Sequence, residues 1–149
     1  MQEMTPKRRY NEIIELLQSG SESEAEQLCR QAVDDNGDVN FIALLGTILA
    51  RRDDLETAES HLRRAVQIAP AYPKANEELG SVLLNRGKPE EAIPFLRKAT
   101  ELSPSSAECF FKLGGALKLA GDNDGASAAF AESQRLSPSK AKLEEASRL

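Results

Sequence analysis

The chain has 149 residues, 40% hydrophobic and 29% charged, with 19 basic against 24 acidic side chains and a formal net charge of -5. Aromatic content is only 5%, Trp is absent, and nine Gly with seven Pro exclude a collagen-like or low-complexity chain, so a core must be built from Leu, Ile, Val and Ala. The acidic balance, with both signs interspersed, argues against a nucleic-acid binder, which needs a concentrated basic face.

The first 20 residues carry Glu3, Glu12 and Glu15 among their apolar positions, which is not a secretory pattern, and a cytoplasmic location is expected. The longest apolar stretch, Phe41 to Ala50, is interrupted by Gly46 and Thr47. It falls far short of the ~20 residues that cross a bilayer, so it reads as a buried helix and no membrane span is expected. Cys29 and Cys109 lie 80 residues apart, matching neither a disulfide framework nor a metal-ligand pair. Both read as small buried hydrophobes.

Shifting the sequence by 34 residues aligns Leu45-Gly46 with Leu79-Gly80 and Leu113-Gly114. The same register joins Leu49, Leu83 and Leu117; Ala58, Ala92 and Ala126; Leu62, Leu96 and Phe130; and Pro70, Pro104 and Pro138. Such a period marks units that cannot bury their apolar faces alone and must stack. Three repeats follow, at residues 39–72, 73–106 and 107–140. Upstream, an offset of 33 matches Leu16 to Leu49, Gly20 to Asp53, Ala25 to Ala58, Cys29 to Leu62 and Ala32 to Ala65. Residues 6–38 are therefore a degenerate first repeat, with Glu12-Ile13 replacing Leu-Gly and Gly37 replacing proline. Residues 141–149 begin a ninth helix with Leu143, Ala146 and Leu149, either a cap or a truncated helix. The whole, 1–149, reads as one domain.

Within each unit the apolar positions fall at helical spacing in two blocks, so each unit is a pair of antiparallel helices. Asp53-Asp54, Gly87-Lys88-Pro89 and Gly121-Asp122 supply the turns, with Asp54 and Asp122 as candidate caps. Ser105 and Glu108 suggest a capping box, and Pro94 predicts a slight bend in the helix of residues 89 to 102. The recurring Gly and Ala mark close approach of the two helices, with leucines filling the gaps.

Ile42-x2-Leu45-Gly46-x2-Leu49, then Ala58-x3-Leu62, then Pro70 resembles the tetratricopeptide repeat. The first large aromatic of that pattern survives only as Phe110, and Ser133 stands where Ala65 and Ala99 do, departures that weaken individual interfaces. The resemblance implies an all-α fold, a right-handed superhelical solenoid of stacked antiparallel helix hairpins. Leu44-Leu45-Gly46, the run Ala58 to Ala65 and Ala69-Pro70 are also similar to the repeat arrays that precede bacterial sulfotransferase domains. That similarity implies an alternative, a substrate-positioning domain of a larger enzyme.

No convergent set of reactive residues accompanies the repeat: there is one histidine, His61, and no HExxH or GxSxG. His61 reads as a surface or packing residue. Gly80 to Lys88 has the wrong spacing for a phosphate loop, and Asp122-Asn123-Asp124-Gly125 lacks the first and last ligands of a calcium loop, with Ala120 and Ala131 in their places. A non-enzymatic chain with no metal and no cofactor is expected.

Stacked hairpins curl into a superhelix whose inner groove suits a peptide segment. By resemblance the groove is lined by the first helix of each hairpin. The 34-residue register then gives as candidates Asn40, Ala43, Thr47 and Arg51; Lys74, Glu77, Ser81 and Asn85; and Glu108, Phe111 and Gly115, to which Lys118, one residue short of the register, is added. Phe111 is the candidate anchor, with Phe110 in the core. Some family members clamp the acidic tails of chaperones with Lys, Arg and Asn; here Ala43, Thr47 and Glu78 stand at the relevant places and only Lys74 and Lys112 are kept. The expected partner is a polar or amphipathic protein segment, and a third reading is a homo-oligomer formed through the repeat ends.

Overall fold

A computed structural model describes residues 4–137. Pro138 and the segment 141–149, read above as a capping or truncated helix, lie outside the described residues. Among those described are eight α-helices: α1 Pro6–Gln18, α2 Glu22–Asn36, α3 Val39–Arg51, α4 Leu55–Ile68, α5 Pro73–Asn85, α6 Pro89–Leu102, α7 Ala107–Leu119 and α8 Asn123–Leu136. They fall into two compact units that divide between Pro70 and Ala71. In the first, α1 packs on α2, α2 on α3 and α3 on α4; in the second, α5 packs on α6, α6 on α7 and α7 on α8.

Local chemistry sets the helix limits. Thr5 Oγ1 accepts from the Arg8 amide at 3.2 Å, with Pro6 in the first turn where its missing N–H costs nothing. Asp38 caps α3 by accepting from the Asn40 amide at 2.8 Å. For α7 the cap is Ser106, whose Oγ accepts from the Cys109 amide at 3.3 Å, and not Ser105. The Ser106 amide first closes a turn onto the Ser103 carbonyl at 3.1 Å, which delays the helix by one residue and takes Glu108 out of capping-box register. Asp122 caps α8 through the Gly125 amide at 2.9 Å, whereas Asp54 makes no such bond at the start of α4. A Cβ on Gly125 would meet the Asp122 carboxylate at 2.5 Å, and Thr57 carries one at the matching place. The hairpin turns each contain one left-handed residue: Gly20, Gly87 and Gly121, and Asp53 as the non-glycine among them.

The hairpins are held by a small residue facing a large one. A Cβ added to Gly46 would lie 2.6 Å from Leu62 Cγ, one on Gly80 2.5 Å from Leu96, and one on Gly114 2.7 Å from the Phe130 ring. The first hairpin solves the same problem with the sizes exchanged. By the offset of 33, Ile13 takes the place of Gly46 and Cys29 that of Leu62, and both are buried at 1% and 0% exposure. The large side chain has moved from the second helix to the first.

The departures from the repeat pattern are compensated. Asn76, at the position of the large aromatic, is 2% exposed and its Nδ2 donates to the Tyr72 carbonyl at 2.8 Å. Ser133 Oγ donates to the Ala107 carbonyl at 2.8 Å, adding a link between α8 and the start of α7. Phe110 is only partly buried, in contrast to the core position expected of it; Cys109 beside it takes the buried place. Helix α6 runs unbroken through Pro94, which sits on its exposed side.

Adjacent glycines should respond oppositely to one methyl group. Gly115 has open space around its Cα, so Gly115→Ala should stabilise by about 0.5–1 kcal/mol through helix propensity. Gly114→Ala, against Phe130, should destabilise by about 1–3 kcal/mol. In the first hairpin, Ile13→Ala should cost about 2–5 kcal/mol as a cavity and Cys29→Leu about 1–3 kcal/mol as overpacking. The double variant should recover about 1 kcal/mol or more relative to their sum in denaturant titrations; simple additivity would show that the two side chains do not share one space.

Candidate functional site

In the first unit, Asn40 is exposed and its Nδ2 donates to Asp38 Oδ1 at 3.0 Å. Thr47 is half-buried and its hydroxyl donates back to the Ala43 carbonyl at 3.2 Å. Arg51 is exposed with its guanidinium 3.1 Å from Glu22, and Ala43 is buried. These first-helix residues form a polar edge in which Arg51 is already tied to α2.

The second unit carries a chain of ion pairs. Lys74 lies 3.1 Å from Glu78 one turn along α5. Lys112 of α7 donates to Glu77 of α5 at 2.9 Å and lies 3.3 Å from Glu108. Glu77, expected to line a groove, is only 8% exposed and reaches solvent as one half of the pair with Lys112. Burial pulls both lysines toward lower pKa, but Glu78 beside Lys74 and Glu77 beside Lys112 outweigh it and hold both above the usual lysine value. Their charges are fixed and locally neutralised. Ser81 donates to the Glu77 carbonyl at 3.1 Å, and Asn85 and Lys118 are exposed.

Phe111 is 63% exposed, and its ring leans on Phe130 with centroids 5.6 Å apart at 53°. The pair borders a depression of about 640 Å³ between α7 and α8, together with Ala107, Glu108, Ser133 and Gln134. Gly115 follows Phe111 one turn on, with open space beside it.

The repeat register also reaches residues that the sequence reading left out. The offset of 33 carries Asn40 to Lys7 and Ala43 to Tyr10, and these two line a cleft of about 410 Å³ with Pro6, Asp38, Asn40 and Phe41. Tyr10 and Phe41 meet there with centroids 6.0 Å apart. The signal was present in the offset already used to find the degenerate repeat.

The remaining reactive groups have structural places. His61 Nδ1 lies 3.1 Å from the Thr57 carbonyl one turn back on α4. Cys29 Sγ donates to the Phe41 carbonyl at 3.3 Å, tying α2 to α3. Burial pushes both thiols up, that of Cys29 to about 12, so neither forms a thiolate at neutral pH. Among the described residues no group of three or more His, Cys, Asp or Glu side chains is placed to hold a metal, and no helix is long and apolar enough to cross a membrane.

No curated protein matches the chain by sequence. Solved structures do match its fold. MamA from Desulfovibrio magneticus RS-1 has a TM-score of 0.81 at 22% identity, covering 91% of this chain and 78% of that one. MamA AMB-1 gives 0.76 at 19% identity over 90% and 80%, and MamA MSR-1 gives 0.73 at 18% over 87% and 75%. A profile described as tetratricopeptide repeat matches residues 10–76, 43–107 and 77–141. With the two-helix unit, the close-packed glycines and this match, the chain belongs to the tetratricopeptide repeat family.

Proposed function

We propose that the chain is a non-enzymatic protein-interaction scaffold whose first-helix faces hold a peptide segment of a partner. The observation that carries this reading is Phe111, a large aromatic left 63% exposed on a first helix at the edge of a depression. Leaving such a ring in water forgoes apolar burial that a partner side chain would supply, and aromatic anchors in concave sites dominate peptide recognition. Asn40, Thr47 and Arg51 in the first unit, and Lys74, Glu77, Ser81, Asn85, Glu108 and Lys118 in the second, are the polar first-helix positions that would orient a ligand.

Internal neutralisation shapes the partner. Lys74, Lys112 and Arg51 each face a carboxylate within the chain, so a strongly acidic or nucleic-acid ligand would have to displace an existing pair. A polar or amphipathic segment, engaging these pairs as donors and acceptors at once, fits better.

Selection from a random 12-residue peptide library should enrich binders to the full chain. Phe111→Ala should weaken the enriched peptides at least about fivefold, roughly 1 kcal/mol, while leaving the helical circular-dichroism spectrum unchanged and lowering the melting temperature by no more than a few degrees through the lost Phe130 contact. Loss of less than about twofold would remove Phe111 from the binding surface.

A further inference from the structure

We infer that the cleft between the starts of α1 and α3 is a specificity pocket for a partner segment that pairs an acidic residue with a neighbouring large apolar side chain. The inference rests on the proposed peptide-binding role and assigns it a place and a ligand chemistry. The floor is aromatic: Phe41, itself buried, and Tyr10 meet at 6.0 Å, with the Pro6 ring at the edge. A volume of about 410 Å³ accommodates one Leu, Ile or Phe side chain with the backbone around it.

The charges at the mouth select what accompanies that side chain. Three cations follow one another at the start of α1. Arg9 is committed to Asp35 at 2.9 Å, whereas Lys7 and Arg8 face no carboxylate within ion-pair distance among the described residues. Of these two, Lys7 lines the cleft. Asp38, the acid in the same cleft, is engaged as the cap of α3, accepting from both the amide and Nδ2 of Asn40 at 2.8 and 3.0 Å. The Asn40 side-chain oxygen makes no hydrogen bond among the described residues and is left as an acceptor for a peptide N–H. An incoming carboxylate therefore meets here an ammonium that has no ion pair among the described residues. On the second unit the same carboxylate would meet Lys74 and Lys112, both already paired, in the first halves of their helices, while the exposed Lys118 lies at the far end of α7.

The experiment uses the full chain and peptides from a random 12-residue phage library. Enriched sequences should place Asp or Glu within two residues of Leu, Ile or Phe. A synthetic peptide of that consensus should lose at least about tenfold in affinity with Lys7→Glu, keep most of it with Lys7→Arg, and weaken as salt rises. Replacing the peptide's acid by lysine should restore binding to the Lys7→Glu chain, a reversal that a merely structural role for Lys7 would not produce. Enriched peptides that lack the acidic-apolar pair, yet lose binding with Phe111→Ala, would overturn this inference and leave the broader reading standing. Enrichment of no peptide at all would overturn both.

Discussion

The structure depends on one steric constraint, the contact of a bare Cα on the first helix of a hairpin with a large side chain on the second. At Gly46, Gly80 and Gly114 a single added carbon would come within 2.7 Å of Leu62, Leu96 or Phe130. Helices that approach this closely exclude water from the seam and fix the height of one helix against the other, since the knob admits one axial position. The remaining leucines and alanines of the hairpin then fall into register. Interiors packed to crystal-like density tolerate exchange of volume between facing positions better than a change of total volume. By the offset of 33, the buried Ile13 and Cys29 stand at the two facing places with their sizes exchanged.

A fixed hairpin has functional consequences because it decides which side chains are left over. The second helices contribute Ala58, Ala92 and Ala126 and the knobs Leu62 and Leu96 to the interior, with Phe130 half-buried. The first helices keep an additional exposed edge, where the polar candidates and Phe111 lie. On the second unit Lys74 and Lys112 are neutralised internally, Lys74 by Glu78 and Lys112 by Glu77 and Glu108, while Lys118 is exposed at the far end of α7. On the first unit the edge is less committed around Lys7, where the single carboxylate in the cleft serves as a helix cap. A ligand recognised through both apolar and ionic contacts would therefore discriminate between the two units by the availability of charge, since both offer an aromatic ring.

The fold was legible in the sequence to the extent that packing repeats. Gly, Ala, Leu and Pro at a period of 34 betray the hairpins because each position meets the same steric demand in each unit. The first repeat was harder to see for two physical reasons. Its knob is on the opposite helix, which removes the Leu-Gly signature. Its α1 also carries Arg8, Asn11, Glu12 and Glu15, all exposed, where α3 carries the buried Phe41, Leu44, Leu45 and Ile48. The site was legible only as a set of positions. Spacing showed that Glu77 and Lys74 belong to first helices but not that each is held by a partner, because Lys112 comes from a helix 35 residues away and Glu78 depends on rotamer. The cap at Ser106 likewise turns on a single backbone bond, and of two aspartates at matching places Asp122 caps its helix and Asp54 does not, details finer than residue type.

The central claim is that three glycine-to-large-residue contacts set the hairpin geometry on which the exposed first-helix edges depend. Proton NMR of the full chain tests it directly through nuclear Overhauser effects between the α-protons of Gly46, Gly80 and Gly114 and the side chains of Leu62, Leu96 and Phe130. The account predicts strong cross-peaks at all three pairs, with the Ile13 side chain giving the corresponding contact to Cys29. Absence of the glycine contacts in a folded, helical sample would contradict it.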